Sequence, residues 1–118
     1  MATVAQGEVW WVDHDEPEGA EPGYSRPWVV IQNDRTNESR LRTAIACPIT
    51  STLRLADAPG NVLLAEGEGG LKKPSVVNVS KVTAFDLGRF SEPIGKLSQH
   101  RVSQIIRGLN LLLSPAAP

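Results

Sequence analysis

Two side chains suited to phosphate chemistry flank apolar segments of the chain. Arg26 precedes PWVVIQN, and Thr50 follows TAIACPI. The planar guanidinium of an arginine offers several donors that match phosphate oxygens. A threonine hydroxyl can donate to or accept from such an oxygen, although it carries protons poorly at neutral pH. Together they suit charge stabilisation and orientation at a phosphate. Each also has an ordinary interpretation, as a surface arginine before a strand and as a turn threonine.

Other kinds of chemistry find less support in the residue pattern. The two histidines, His14 in an acidic loop and His100 near the start of a helical segment, are expected to face solvent. The chain lacks His/Cys spacing of the zinc kind and the usual setting of a Ser-His-Asp nucleophile. The glycine-rich GEGGLKK (67–73) leads into a strand rather than into the helix N-terminus that cradles phosphate. We therefore expect neither a metal nor a cofactor.

The segments that must position Arg26 and Thr50 read as short β-strands. They are rich in β-branched and aromatic residues and are separated by Gly, Pro, Asp and Asn clusters. The segment at 75–85 alternates in a way that suits one long strand with two different faces. Several short strands with few helices predict a mainly β fold, a small barrel or sandwich. The predicted strand segments are GEVWWV (7–12), PWVVIQN (27–33), TAIACPI (43–49), NVLLA (61–65) and SVVNVSKVTAF (75–85).

Helical periodicity is confined mainly to the last part of the chain. Apolar residues between 97 and 113 recur at the spacing of one helix face. Ser98 is the predicted N-cap and Pro115 marks the stop. This amphipathic helix could pack on the barrel or join a dimer interface. The polar stretch DRTNESR (34–40) predicts one or two further helical turns.

Size, composition and charge bound the class of protein. The 118 residues, 41% of them hydrophobic, fit one domain spanning 1–118. No apolar run is long enough to cross a membrane, the first residues do not resemble a secretory signal, and Cys47 is the single cysteine. A reducing cytoplasm is the expected compartment. The net charge of −1 hides six acidic and no basic residues in 1–25, against five arginines and two acids in 26–54.

Three tryptophans are many for this length. Trp10 and Trp11 must point to opposite faces of a strand, so at most one is expected in the deep core. Trp28 is predicted to lie in the core or an interface. The three could fill the core, or one of them could stack on a nucleobase.

Several strings occur in an order that resembles one protein family. GEVWWVD, an acidic Gly/Pro loop, SRPWVVIQND, RTAIACPITS, GLKKPSVVNVSKVTAFD and the terminal amphipathic helix resemble MazF/PemK-type toxins of toxin–antitoxin pairs. The resemblance covers residues 6–113. It implies an SH3-like β-barrel, usually a homodimer, that cleaves single-stranded RNA at short motifs without a metal ion. It also implies a MazE-like antitoxin whose tail occupies the RNA groove.

The resemblance assigns roles to particular residues. The catalytic arginine and threonine of the family match Arg26 and Thr50. The implied reaction uses the 2′-hydroxyl of the RNA as nucleophile and leaves 2′,3′-cyclic phosphate and 5′-hydroxyl ends. An arginine does not normally give up its proton, so charge stabilisation is the role assigned to Arg26, and the general base stays open. Secondary candidates for RNA contact are Glu21, Ser25, Ser51, Asn78, Ser80 and Lys81.

Two other functions are compatible with the same fold. A gyrase-poison toxin would bind protein rather than cut RNA, but such toxins use an aromatic C-terminal end, and this chain has no aromatic residue after Phe90. A non-catalytic SH3-like binding module is the other alternative, because that fold hosts many functions. It would leave the combination of Arg26 and Thr50 unexplained.

Overall fold

The computed structural model describes residues 3–13 and 26–116. These residues form a mainly β fold with a C-terminal helix, as the periodicity predicted. No helix in these two ranges is both long enough and apolar enough to cross a membrane. The strands are β1 (Glu8–Val12), β2 (Arg26–Val30), β3 (Thr43–Thr50), β4 (Val62–Leu64), β5 (Ser75–Val77), β6 (Thr83–Asp86) and β7 (Phe90–Lys96), and the α-helices are α1 (Asp34–Asn37) and α2 (Gln99–Leu113).

All strand pairs of the described residues are antiparallel, and β3 is the hub of the sheet. The strand order is β4-β5-β3-β2-β1-β7, with β6 paired to the first half of β3. The hydrogen-bonded path does not close between β4 and β7. A 3₁₀ turn, Glu68–Gly70, packs on β7 in that gap. The approach is so close that a Cβ on Gly95 would lie 2.5 Å from the carbonyl oxygen of Gly69.

The buried residues form two clusters with different chemistry. One is aliphatic and lies between the sheet and α2, with Val9, Val29, Leu64 and Ile105 fully buried. The other is largely aromatic: Trp10, Trp28, Phe85 and Phe90 pack edge to face, with ring centroids 4.6 to 6.2 Å apart. Trp28, which was predicted to lie in the core or an interface, is buried in this cluster. The prediction that at most one of Trp10 and Trp11 lies in the deep core is confirmed: Trp10 is 8% exposed and Trp11 39%.

Both predicted helical segments form, and polar side chains fix their first turns. The Ser98 hydroxyl accepts the backbone N–H of Arg101 at 3.2 Å, which confirms the predicted N-cap of α2. In α1 the Asn33 side chain accepts the N–H of Thr36 at 2.9 Å. Each bond satisfies a donor that has no partner inside the helix.

The single strand predicted over 75–85 is wrong. The chain leaves the sheet after β5, forms a 3₁₀ turn at Val79–Lys81, and returns as β6 on another part of β3. A side chain from elsewhere causes the break, because Asn61 Oδ1 accepts the N–H of Val79 at 2.9 Å and removes it from the sheet ladder. Strand β7 was not predicted, since FSEPIGK contains Pro93 and Gly95, both unfavourable in strands.

Candidate active site

A cleft of about 720 Å³ opens at one end of the aliphatic core. Two of its residues, Ile49 and Leu71, belong to that core as well. The floor of the cleft is therefore an extension of the aliphatic core, and the polar residues form the rim. The lining residues are Trp11, Arg26, Pro27, Ile49, Thr50, Ser51, Gly70, Leu71, Lys72, Lys73, Ser75 and Ile94.

Strand register explains why Arg26 and Thr50 share this cleft. The β2–β3 ladder pairs Trp28 with Pro48 and Val29 with Cys47. Arg26 and Thr50 lie two residues beyond the Trp28–Pro48 pair, at the adjacent ends of the two antiparallel strands. Both residues with the chemistry of interest therefore line the same cleft.

An apolar row runs beside this pair. Trp11 pairs with Pro27 across β1 and β2, and Ile49 lines the cleft with them. We call Trp11, Pro27 and Ile49 the apolar row. Arg26 and Thr50 line the same cleft.

A backbone N–H two residues further along the chain orients the hydroxyl of Thr50. Thr50 Oγ1 accepts the N–H of Thr52 at 3.2 Å. This bond uses a lone pair of the oxygen and leaves the hydroxyl hydrogen for another acceptor. Ser51 is exposed on the same rim, so the structure brings it together with Arg26 and Thr50. The arrangement can present one oriented O–H donor beside a guanidinium.

Two lysines add positive charge to the rim. Lys72 and Lys73 are exposed and line the cleft, carried there by the 3₁₀ turn that packs on β7. Among the described lining residues there is no Asp or Glu to offset them and Arg26. The sequence analysis did not select these lysines. The only local signal was the Lys-Lys pair between a glycine run and a strand.

Three further sequence candidates lie outside the cleft. Asn78, Ser80 and Lys81 do not line the cleft, because they belong to the break between β5 and β6. There Ser80 Oγ donates to Asn78 Oδ1 at 2.9 Å, so these two polar side chains bond to each other. Glu21 and Ser25 fall outside the described residues, as does His14. His100 is exposed in the first turn of α2.

The cleft suits anion binding rather than metal or thiol chemistry. Within 3–13 and 26–116, no three His, Cys, Asp or Glu side chains come together as a metal site. Cys47 is fully buried beneath the cleft strands, and burial raises the pKa of its thiol to about 12. A thiol with that pKa is protonated at neutral pH and is a poor nucleophile. What the rim can supply is cationic charge and hydrogen-bond donors.

Comparison with known sequences gives a consistent family. A family model described as PemK-like, MazF-like toxin of type II toxin-antitoxin system matches residues 5–113. The chain is 36% identical over 110 residues to endoribonuclease MazF6 of Mycobacterium tuberculosis, covering 93% of this chain and 96% of the relative. It is 31% identical over 114 residues to endoribonuclease MazF9 of the same species, with the same coverage of each chain.

Solved structures give the same fold. MazF from Deinococcus radiodurans is similar with a TM-score of 0.75 at 23% identity, covering 98% of this chain and 100% of that one. A mycobacterial endoribonuclease in complex with its cognate antitoxin is similar with a TM-score of 0.71 at 18% identity, covering 100% of both chains. At such low identities these likenesses establish the fold alone.

Proposed function

This chain belongs to the PemK/MazF family of toxins from type II toxin–antitoxin systems, and from that premise we propose that it is an endoribonuclease that cleaves single-stranded RNA at short sequence motifs. The observation that supports the proposal most is that Arg26 and Thr50 line one cleft together with Lys72 and Lys73. Curated relatives at 36% and 31% identity are named endoribonucleases.

The proposed reaction needs no metal ion. The 2′-oxygen of one nucleotide forms a bond to the adjacent phosphorus as its proton leaves, and the bond from phosphorus to the 5′-oxygen breaks as that oxygen gains a proton. The products carry a 2′,3′-cyclic phosphate and a 5′-hydroxyl. The dependence on a 2′-hydroxyl restricts the reaction to RNA.

Arg26 and Thr50 have different roles at the phosphate. The Arg26 guanidinium neutralises the negative charge that builds on the non-bridging oxygens, where a preorganised cation is most effective. The Thr50 hydroxyl donates to one of those oxygens and orients the phosphate. One lone pair of the hydroxyl oxygen is already engaged by the N–H of Thr52. Ser51 contributes a further rim hydroxyl, and Lys72 and Lys73 hold flanking phosphates.

The family premise also implies partners. We propose that a cognate antitoxin inhibits this chain by occupying the cleft; one structural relative was solved in complex with its cognate antitoxin. A homodimer is proposed on the same premise, and it is supported by Leu111 and Leu113, which are 65% and 71% exposed at the end of α2. The cytoplasm, where messenger RNA is exposed, is the proposed compartment.

The test is cleavage of a long, unstructured RNA of diverse sequence in the presence of EDTA, with product ends mapped. We expect discrete cuts at a short motif, with cyclic-phosphate and 5′-hydroxyl ends. Arg26→Ala should lose activity by roughly 10²–10³-fold, the effect of removing one preorganised charge-stabilising group.

Arg26→Lys is the matched control, because it keeps the charge but not the planar donors. It should recover only part of the lost activity. Activity that disappears in EDTA and returns with a divalent ion would contradict the metal-free scheme. Undiminished cleavage by a folded Arg26→Ala protein would remove Arg26 from the mechanism.

A further inference from the structure

Trp11 stands apart from the other described aromatic side chains. Trp10, Trp28, Phe85 and Phe90 pack against one another in the aromatic cluster. Trp11 belongs to neither buried cluster and keeps 39% of its surface exposed. Packing alone therefore does not require an indole at position 11, and a large exposed apolar side chain inside a cleft is a common sign of ligand binding.

The position of Trp11 relates it directly to the phosphate site. It begins the apolar row, paired with Pro27, while the next residue along β1, Val12, pairs with Arg26. Successive strand side chains point to opposite faces of a sheet. At these strand ends, however, Trp11, Arg26 and Thr50 all line the same cleft, so a nucleotide whose phosphate sits at Arg26 and Thr50 has its base within reach of the indole.

The chemistry of the surroundings selects a nucleobase as the occupant. An apolar floor alone would accept many side chains or lipids, but here the rim carries Arg26, Lys72 and Lys73, with no acidic residue among the described lining residues. A flat aromatic group attached to a chain of phosphates complements both features. Single-stranded nucleic-acid sites are commonly built from such a cationic groove and an aromatic stacking surface.

We propose that Trp11 stacks on the base of a nucleotide adjoining the phosphate held by Arg26 and Thr50. The inference rests on the proposed function and adds to it a residue that positions the RNA. Stacking accepts any base, so Trp11 contributes to affinity and to the placement of the cut rather than to reading one base. The sequence of the cleavage motif is therefore recognised by protein groups other than Trp11.

The experiment measures binding of a fluorescein-labelled RNA oligonucleotide centred on a mapped cut site, with one 2′-deoxy nucleotide before the cut so that it cannot react. The proteins are wild type, Trp11→Phe, Trp11→Leu and, as a matched control, Leu63→Ala, which removes an exposed apolar side chain outside the cleft. If wild type makes no cuts, a random-sequence single-stranded RNA of 30 nucleotides replaces the probe.

Trp11→Leu should weaken binding by roughly 5- to 150-fold, while Trp11→Phe stays within a few-fold of wild type and Leu63→Ala is unchanged. RNA should also quench tryptophan emission in wild type, and much less in Trp11→Phe, because Trp10 and Trp28 are buried. The quenching comparison decides the matter if Trp11→Leu does not fold.

The outcomes separate this inference from the proposed function. Equal binding by the Leu and Phe variants, or no quenching in wild type, would overturn the stacking role while cleavage by wild type leaves the endoribonuclease intact. Stacking without any cleavage would support the role of Trp11 and overturn the endoribonuclease. Neither binding nor cleavage by folded wild type would overturn both.

Discussion

The cleft and the seam between α2 and the loops beside β4 use charge in different ways. In the seam, Arg101 donates from Nε and Nη2 to the two carboxylate oxygens of Glu68, each at 2.9 Å. Gly108 of α2 lies directly against the backbone of Gly60. Here an internal ion pair and a close backbone contact join the helix to the loops. The cleft instead carries Arg26, Lys72 and Lys73 with no Asp or Glu among its described lining residues, an arrangement suited to an external anion.

The difference indicates that stability and function are carried by separate residues. Changes in the seam should alter unfolding more than the chemistry, and changes on the cleft rim should do the reverse. Substitutions on each side test this contrast.

The largest effect is expected from Gly108→Ala. Alanine is the better helix former by about 1 kcal/mol, so local propensity alone predicts stabilisation. In the structure, however, the added Cβ would overlap the carbonyl oxygen of Gly60, which is backbone and cannot rotate away. We expect a net loss of about 3 kcal/mol in the free energy of unfolding, measured by chemical denaturation.

Gly88→Ala is the control, because a Cβ there meets nothing within 4 Å. It should leave stability nearly unchanged. Equal stability of the two variants would show that α2 can shift away from Gly60 and that the seam is not tightly packed.

The next effect is expected from Thr50→Val, which keeps the shape of the side chain and removes the hydroxyl. Cleavage should fall by about 10²-fold, the cost of one oriented donor to a developing charge. Thermal unfolding should change little, since the bond lost is a single exposed one to Thr52. Thr50→Ser keeps the hydroxyl and should retain most of the activity. A Val variant as active as the Ser variant would leave the threonine only a packing role.

The sequence predicted the chemistry of the cleft better than its geometry. Arg26 and Thr50 could be chosen from the strings around them, but their meeting in one cleft depends on how β2 and β3 pair. Register is set by the packing of both faces and by the connecting turn, which a one-dimensional pattern does not contain.

The errors have a common physical origin in contacts between distant parts of the chain. The break after β5 depends on a side-chain bond from Asn61, eighteen residues before Val79. Lys72 and Lys73 reach the cleft because glycines at 69 and 70 let their turn approach β7. Local alternation predicted strands at β1 to β4, but β2 ends at Val30 rather than at 33, where Gln32 Oε1 accepts the N–H of Ile45 at 3.3 Å.

A smaller effect is expected from removing positive charge at the rim. Lys72→Ala combined with Lys73→Ala should weaken RNA binding by roughly tenfold at moderate salt and reduce the slope of log affinity against log salt by about 1.4. A smaller slope indicates that phosphate contacts are lost, whereas a general loss of fit lowers the affinity without changing the slope. Binding is measured over a salt series with the unreactive oligonucleotide.

Lys81→Ala is the informative comparison, because Lys81 is a sequence candidate that does not line the cleft. It should leave the salt slope unchanged. If Lys81→Ala reduces the salt slope as much, per lysine, as the rim variant does, then the RNA-binding surface extends toward the break between β5 and β6.

The smallest effect is expected in the seam from Glu68→Gln. The hydrogen bonds from Arg101 hold the pKa of the Glu68 carboxyl below its ordinary value of 4.5. A lowered folded-state pKa means that this stabilisation is present above about pH 4.5 and is lost as the pH falls through the folded value. Glutamine removes the charge but can still accept the N–H of Ala65, which Glu68 Oε2 accepts at 2.6 Å. The variant should therefore lose about 1 kcal/mol at pH 7, since the pair is only partly exposed.

The same substitution should have a smaller effect at a second, acidic pH below the lowered pKa of Glu68, where the wild-type carboxyl is protonated. Denaturation at the two pH values measures the difference, and Glu66→Gln, an exposed neighbour, serves as control. Cleavage by Glu68→Gln at pH 7 should remain near wild type, because neither Glu68 nor Arg101 lines the cleft. A fall in cleavage larger than the fall in stability would show that the turn carrying Lys72 and Lys73 depends on this ion pair, and that seam and cleft are coupled.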